Sequence, residues 1–217
     1  MMSLDAKALL ESVKEAKSKA EKRKFAQSIE LIINLREIDM KKPESKIQES
    51  IELPHPVGKH NKVCVIATGE LALKARKAGA DLVIERGELE ALGGDKKKAK
   101  ALVNEYEYFI SEAPLMPIVG RVLGAVLGPK GRMPTPVPPN VDIAAAIEKQ
   151  RKVVQIRLRS QPVIQCRIGT EDMTDEQIAQ NIEVVIRRLE GKLKRGLRNI
   201  RSIVIKTAMG PPSRLRI

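Results

Sequence analysis

The chain has 217 residues, 42% of them hydrophobic, and its 40 lysines and arginines against 27 aspartates and glutamates give a net charge of +13. This length and apolar content predict one large folded domain or two modest ones. The positive charge predicts a polyanionic partner, and because the chain has no tryptophan and only two phenylalanines to anchor it in lipid, nucleic acid is favoured over an acidic membrane.

The opening segment MMSLDAKALLESVKEAKSKAEKRK does not resemble a targeting sequence. It lacks the apolar core of a secretion signal and the acid-poor composition of a transit peptide. The apolar runs in the rest of the chain are too short to span a membrane. We therefore expect a cytoplasmic protein that does not enter a membrane.

The first quarter of the chain predicts a helix followed by two strands. Ser3 is a candidate N-cap for a helix that runs to about residue 23. The predicted inner side of this helix is Leu10, Val13, Lys17 and Ala20. Hydrophobic and mostly polar residues then alternate over 25–35, which is a strand pattern. A second alternating strand over 47–53 stops at Pro54.

The middle of the chain predicts strands that alternate with helices. KVCVIAT, DLVIE and YFISE are predicted strands, and helices are predicted over about 69–79 and 88–104. The run APLMPIVGRVLGAVLG predicts a further helix that Gly128 and Pro129 would stop. Continuously apolar strands separated by helices are typical of a parallel sheet covered on both faces. Residues 63–159 are therefore predicted to form an α/β domain of Rossmann-like type.

The last part of the chain predicts strand, helix and strand. VVQIRLRS and PVIQCRIG alternate around a turn at 160–162, Thr174 and Gln177 form a capping box for a helix, and IRSIVIKTAMG is the last strand. These elements can complete the opening helix and strands as one α+β domain. Residues 1–62 and 160–217 are thus predicted to form a discontinuous domain into which 63–159 is inserted. The crossing segments VGKHNK and RLRSQP are the expected hinge.

The sequence contains no recognisable catalytic or cofactor-binding pattern. The glycines at 120, 124, 128 and 131 do not have the spacing of a nucleotide-binding P-loop, and no two glycines lie two residues apart as the dinucleotide fingerprint requires. Cys64 and Cys166 are predicted to be buried free thiols, and His55 and His60 to be loop residues. We predict a non-enzymatic protein without a cofactor or metal, although a nucleotide-binding α/β enzyme and a generic basic RNA chaperone are the competing classes.

The distribution of charge and aromatic residues indicates the kind of nucleic acid. Between Arg187 and Arg216 there are ten basic residues and one acidic residue, Glu190, so any main polyanion site is expected to involve this segment. Four aromatic residues are too few for a platform that stacks single-stranded bases. Folded RNA recognised through sugar and phosphate is favoured. Lys130 and Arg132 either follow a helix end or face phosphate, and the residues alone leave both interpretations open.

Four segments resemble the ribosomal protein L1 family of the large-subunit stalk: KFAQSIELIINL, ELPHPVGK, GRVLGAVLGPKGRMPTP and TAMGPP. They occur in the family's order over nearly the whole chain, and RMPTP is similar to its archaeal branch. The resemblance implies a two-domain protein that binds the stalk-base region of large-subunit rRNA. It also implies support of tRNA release from the exit site, repression of its own mRNA through a similar RNA structure, and a monomer outside the ribosome.

The resemblance also implies which residues contact RNA. The implied RNA-binding residues are Lys24, Phe25, Ser28, Glu30, Gln165, Arg167, Thr207, Met209 and Gly210. Lys130 and Arg132 are implied to make a secondary contact with RNA or with the other domain. The chain departs from the family at two positions, with Ala208 where a threonine is common and Gln165 where many bacterial members have histidine.

Overall fold

The computed structural model describes residues 5–40, 47–58, 61–158 and 160–215, and the chain divides into two compact units. Unit 1 comprises residues 1–59 and 152–217, and unit 2 comprises residues 60–151. The predicted boundaries were 62/63 and 159/160. The second boundary lies earlier because strand β7 (Val153–Arg157) pairs with β2 (Gln48–Glu52) and adds Val154 and Ile156 to the core of unit 1. The second crossing is therefore at 151/152 and not in RLRSQP.

The first helix of unit 1, α1 (Ala6–Ser18), is shorter than predicted. Its N-cap is Asp5, whose side chain accepts a hydrogen bond from the Lys7 N–H, and the predicted cap Ser3 lies outside the described residues. The buried side consists of Leu9, Ser12, Val13 and Ala16, so the predicted inner side was wrong except at Val13. The shift places the helix against the core of unit 1.

Unit 1 is built on a four-stranded antiparallel sheet. The strand order is β10-β9-β1-β8, with β1 at Ser28–Leu35, β8 at Val163–Thr170, β9 at Ile200–Thr207 and β10 at Ser213–Leu215. In β1 every second residue from Ile29 is buried, as the alternation predicts. Helix α7 (Asp175–Glu190) begins at the predicted Thr174–Gln177 capping box and packs its apolar side into the same core as α1. The opposite face of the sheet is only partly covered, and its side chains are half-buried or exposed.

Unit 2 is the predicted α/β domain, with a parallel sheet of order β4-β3-β5-β6. The strands are β3 (Val63–Ile66), β4 (Leu82–Ile84), β5 (Tyr108–Glu112) and β6 (Thr135–Val137). One face is covered by α2 (Gly69–Lys77) and α6 (Ile143–Lys152), and the other by α3 (Arg86–Leu92), α4 (Lys96–Glu105) and α5 (Met116–Lys130). The predicted helix over 88–104 is in fact two helices, because Asp95 caps α4 by accepting hydrogen bonds from the Lys97 and Lys98 N–H groups.

Helix α5 does not stop at Gly128 and Pro129 as predicted. It continues to Lys130 and ends at Gly131, whose φ of 70° lies in the left-handed region. The Gly131 N–H bonds to the Gly128 carbonyl and the Arg132 N–H to the Leu127 carbonyl, which is the Schellman arrangement. Pro129 lies in the last helical turn, and because it has no N–H, that turn lacks one i→i−4 hydrogen bond. In the described part of the chain no helix is both long and apolar enough to cross a membrane.

Two glycines of α5 predict opposite stability changes on substitution by alanine. A Cβ on Gly124 would meet nothing within 4 Å, so Gly124→Ala should stabilise unit 2 by about 0.5 to 1 kcal/mol through helix propensity. Gly131→Ala should destabilise it by about 1 to 2 kcal/mol, because its left-handed backbone disfavours a Cβ. Both tyrosines, Tyr106 and Tyr108, lie in unit 2, so tyrosine fluorescence during urea unfolding measures that unit. Changes of the same sign would contradict the assigned helix end.

Candidate nucleic-acid interface

The open face of the sheet in unit 1 carries four of the predicted RNA-binding residues. Ser28 and Glu30 lie on β1, and Gln165 and Arg167 lie on β8, each on the side away from the buried core residues. Glu30 pairs with Arg167 on one side and with Lys206 of β9 on the other. Residues paired in this way have Cβ atoms about 4.5 to 5.5 Å apart. The Glu30 carboxylate therefore has a cationic residue on each side, and the three side chains of Arg167, Glu30 and Lys206 together carry a net positive charge.

A β-bulge produces this alignment. Ile29 pairs with Gly169 and Glu30 with Arg167, so Ile168 is an extra residue on β8. Its side chain is fully buried in the core. Without the extra residue Glu30 would be opposite Ile168, and the following residues of β8 would change faces. The bulge thus keeps Arg167 beside Glu30 on the open face.

The turn that follows β9 uses its own N–H groups internally. The Ala208 N–H donates to the Ser28 carbonyl at 2.9 Å, the Gly210 N–H to the Thr207 carbonyl at 3.2 Å, and the Met209 N–H to Gln27 Oε1 at 3.1 Å. These three donors are therefore not available to bind a phosphate. The Ala208 carbonyl already accepts from Lys206 Nζ at 3.2 Å, so the turn offers the carbonyls of Met209 and Gly210 as acceptors, together with the Met209 side chain, which is 63% exposed. Acceptors of this kind suit ribose 2′-hydroxyls and base amino groups.

Thr207 and Gly210 shape this turn from the inside. A Cβ on Gly210 would lie 2.3 Å from Thr207 Oγ1, so only glycine fits there without movement. Thr207 is 1% exposed, and its hydroxyl has no hydrogen-bond partner among the described residues. Both were predicted to contact RNA. The structure places Thr207 beneath the turn and Gly210 in it, and Gly210 is half-buried.

Gln27 connects the turn to the segment that precedes β1, and it was not singled out by sequence analysis. It is 1% exposed, and its Nε2 donates to the Glu21 carbonyl at 2.9 Å while its Oε1 accepts from Met209. Its own carbonyl accepts from the Glu171 N–H at 3.0 Å. The sequence held a signal for this burial, because the alternation of β1 extended back by two residues puts Gln27 on the inward side.

Lys24 and Phe25 lie in the segment that Gln27 holds. Lys24 is exposed, and Phe25 is 56% exposed although it is an apolar side chain. Gln27 bonds both to this segment and to the turn that carries Met209. The structure thus links two exposed apolar residues, Phe25 and Met209, through one buried side chain. With the open-face residues, eight of the nine predicted positions belong to the end of the sheet at which β1 begins, and the ninth, Gln165, pairs with Ile32 in the middle of β1.

Lys130 and Arg132 belong to unit 2 and bond to the end of helix α4. Arg132 Nη1 donates to the carbonyls of Val103 at 2.7 Å and Tyr106 at 3.0 Å, and Lys130 Nζ donates to Asn104 Oδ1. Cations stabilise helix C-termini by satisfying these carbonyls. The geometry therefore gives both residues a structural task, and contact with RNA or with the other unit stays a prediction.

The crevice where doubly wound proteins bind ligands is filled by a side chain of unit 2. In the order β4-β3-β5-β6 this crevice lies beyond the carboxyl ends of β3 and β5. There Glu112 Oε2 accepts hydrogen bonds from the N–H and the hydroxyl of Thr68, at 3.1 and 2.9 Å, beside the N-terminus of α2. A carboxylate of the protein thus occupies a position at which phosphates bind in such folds.

The two cysteines and the one described histidine are buried or hydrogen-bonded. Burial raises the pKa of Cys64 and of Cys166 to about 12, so both thiols are protonated at neutral pH, and both are free and buried as predicted. His55 Nε2 lies 2.5 Å from Gln180 Oε1, and His60 is outside the described residues. Over the described ranges no three His, Cys, Asp or Glu side chains are grouped to hold a metal ion.

Comparison with known proteins gives matches over nearly the whole chain. The model of the Ribosomal protein L1p/L10e family matches residues 14–211. The large ribosomal subunit protein uL1 of Methanothermobacter thermautotrophicus is 46% identical over 207 residues, 95% of this chain and 98% of that protein. The uL1 proteins of Methanocella arvoryzae (48% over 205 residues, 94% and 96%) and Pyrococcus horikoshii (46% over 215 residues, 99% and 98%) are similar. These relatives are archaeal, as RMPTP predicts.

The hydrogen bonds of Arg132 predict a loss of stability on its replacement. Arg132→Met should destabilise unit 2 by about 1 to 3 kcal/mol, because two carbonyls at the end of α4 lose a charged donor. Arg121→Met is a matched control: Arg121 is exposed on α5 and makes no hydrogen bond or ion pair with any described residue, so its loss should change stability by less than about 0.5 kcal/mol. Urea unfolding followed by tyrosine fluorescence measures both, and equal effects would refute the capping role.

Proposed function

We propose that this chain, which belongs to the ribosomal protein L1p/L10e family, binds the stalk-base region of large-subunit rRNA. It is a structural, non-enzymatic protein of the large ribosomal subunit. Its place of action is the cytoplasmic ribosome. The proposed RNA-binding surface is the end of the sheet in unit 1 that carries Glu30, Arg167 and the 208–210 turn. We further propose that it supports tRNA release from the exit site and is a monomer outside the ribosome, both on the basis of the family.

The observation that carries the proposal is the hydrogen-bonding character of this surface. The N–H groups of 208–210 are used inside the protein, so the turn presents acceptors. The Glu30 carboxylate is a further acceptor, and it is held between Arg167 and Lys206. Ribose 2′-hydroxyls donate to such acceptors, and the flanking cations suit nearby phosphates. DNA has the phosphates without the hydroxyls, so the surface favours RNA.

Repression of the protein's own mRNA follows if this surface binds a similar structure in the messenger. One end of one sheet holds eight of the nine predicted residues, so rRNA and mRNA would compete for it. Free protein then accumulates only when rRNA sites are filled, and the excess binds the messenger. We propose this competition as the basis of autoregulation.

A filter-binding titration tests the function directly. The protein is titrated with a stalk-base rRNA fragment, a scrambled duplex of equal length and the DNA version of the fragment, at several salt concentrations. We expect the rRNA fragment to bind at least about 1,000-fold more tightly than the other two at 150 mM salt, which is the low end for specific recognition. The leader of the protein's own mRNA should displace the fragment. Equal binding of all three nucleic acids, lost with salt, would reduce the function to charge attraction.

Gln27 provides a test of the surface itself. Gln27→Met keeps the volume but removes the bonds to Glu21 and Met209, so we expect a stability loss of about 1 to 3 kcal/mol and an affinity for the rRNA fragment at least about tenfold lower. Stability is measured by circular dichroism and affinity by the same titration, well below the melting temperature.

Asn181→Leu is the matched control for Gln27→Met. Asn181 is a second buried amide of unit 1, and it bonds to the N–H and carbonyl of His55 and to the carbonyl of Ile168. Its replacement should cost at least as much stability and, although Asn181 also bonds to the Ile168 carbonyl at the bulge, should lower RNA affinity much less than Gln27→Met does. If both variants lose the same affinity, Gln27 acts only on general stability and the surface is misplaced.

A further inference from the structure

The end of the sheet opposite the 208–210 turn carries a cluster of arginines. Strand β1 runs from Ser28, whose carbonyl bonds to the turn, to Leu35. The arginine cluster, which we define as Arg36, Arg195, Arg198 and Arg201, surrounds this far end, and all four side chains are exposed. At about 3.4 Å per residue, the length of β1 separates the two ends by roughly 24 Å.

We propose that the arginine cluster is a second RNA-binding surface, which contacts the phosphates of the same RNA that binds at the 208–210 end. Arginine suits this task because its planar guanidinium can form paired hydrogen bonds to one phosphate. The inference rests on the proposed function, since RNA is the polyanion for which unit 1 offers a specific surface.

The buried amide of Asn199 fixes the backbone that carries the cluster. Asn199 is 2% exposed; its Nδ2 donates to the Arg36 carbonyl at 3.1 Å, and its Oδ1 accepts from the Arg195 N–H at 2.9 Å. The Arg36 N–H donates to the Asn199 carbonyl at 2.7 Å, and Arg36 Nε donates to the Arg198 carbonyl at 2.9 Å. The β1 end and the β9 start are thus joined, so the arginines are brought together before any ligand binds.

A second β-bulge directs one member of the cluster outward. Asn34 pairs with Ser202 and Leu35 with Ile200, so Arg201 is the extra residue on β9 and has no partner residue on β1. A bulge turns the side chain of its extra residue away from the regular alternation. Arg201 is accordingly exposed between the buried Ile200 and the half-buried Ser202.

The charges of the cluster are only partly balanced within the protein. Glu37 bonds to Arg195, but Arg198 and Arg201 make no ion pair with a carboxylate of the described residues. The neighbouring cations Arg188 and Lys192 differ, because they share Glu49 at 3.3 and 2.7 Å and lower the pKa of its carboxyl group. Like charges held together repel one another. A polyanion would relieve this repulsion and release counterions on binding.

The test compares the salt dependence of two double variants that remove the same charge. Arg198→Gln with Arg201→Gln neutralises the cluster, and Lys96→Gln with Lys97→Gln removes two exposed cations from unit 2. The probe is the stalk-base rRNA fragment, titrated between 50 and 200 mM salt. We expect the cluster variant to reduce the slope of log affinity against log salt by about 1.8, which corresponds to two lost phosphate contacts. The control variant should keep the wild-type slope.

Two results would overturn the inference. An unchanged slope for the cluster variant would assign the cluster to another partner, such as an acidic protein surface, and an equal change in the control would indicate a general charge effect. Failure of the proposed function can be told apart from failure of this inference. If the proposed function is wrong, the wild-type protein itself does not discriminate the rRNA fragment from the scrambled duplex. If the inference is right, the cluster variant loses affinity for both RNAs and keeps that discrimination.

Discussion

The hydrogen bonds of the buried Gln27 carboxamide are the interaction on which the proposed RNA-binding end of the sheet depends. The carboxamide bonds to the Glu21 carbonyl and the Met209 N–H, and neither of those residues lies in a helix or strand. Breaking either bond would leave a buried polar group unsatisfied, at a cost of about 1 to 3 kcal/mol. Phe25 and Met209 are therefore placed before a ligand arrives, and little conformational freedom remains to be lost on binding.

The direction of the hydrogen bonds determines what each part of the protein can bind. Because the 208–210 turn uses its N–H groups internally, these groups cannot cradle a phosphate, and the acceptors of the turn suit hydroxyl and amino donors instead. In unit 2 the N–H and the hydroxyl of Thr68 lie at a helix N-terminus and would suit an anion. Both already donate to the Glu112 carboxylate. The protein thus closes the site typical of an α/β enzyme and leaves open a surface suited to RNA.

Local patterns predicted much of this fold, and long-range contacts explain the differences. The alternation of β1, the Thr174 capping box and the apolar strands of unit 2 each depend on neighbouring residues, and the structure contains all three. The pairing of β7 with β2 joins residues about a hundred positions apart, so the domain boundary could not be read from either strand alone. The two bulges depend on the register between paired strands. The hydrogen bonds of Gln27 and Arg132 depend on backbone groups that are distant in the sequence, such as the Met209 N–H and the Val103 carbonyl. The resemblance supplied the site residues, but not which of them face inward, as Thr207 does.

The two ends of the sheet divide recognition between different kinds of chemistry. At the proposed 208–210 surface, carbonyls and the Glu30 carboxylate suit hydroxyl and amino donors, and only the flanking Arg167 and Lys206 suit phosphate. Hydrogen bonds between neutral groups release few counterions, so salt affects them little. The arginine cluster at the other end is proposed to bind phosphate, and an attraction of that kind weakens steeply as salt rises. Each end has its own bulge, at Ile168 and at Arg201, and its own buried amide, Gln27 and Asn199. Because each end has its own bulge and its own buried amide, a mutation at the 208–210 end can change specificity without changing charge-driven affinity. A mutation at the arginine end can change charge-driven affinity without changing specificity.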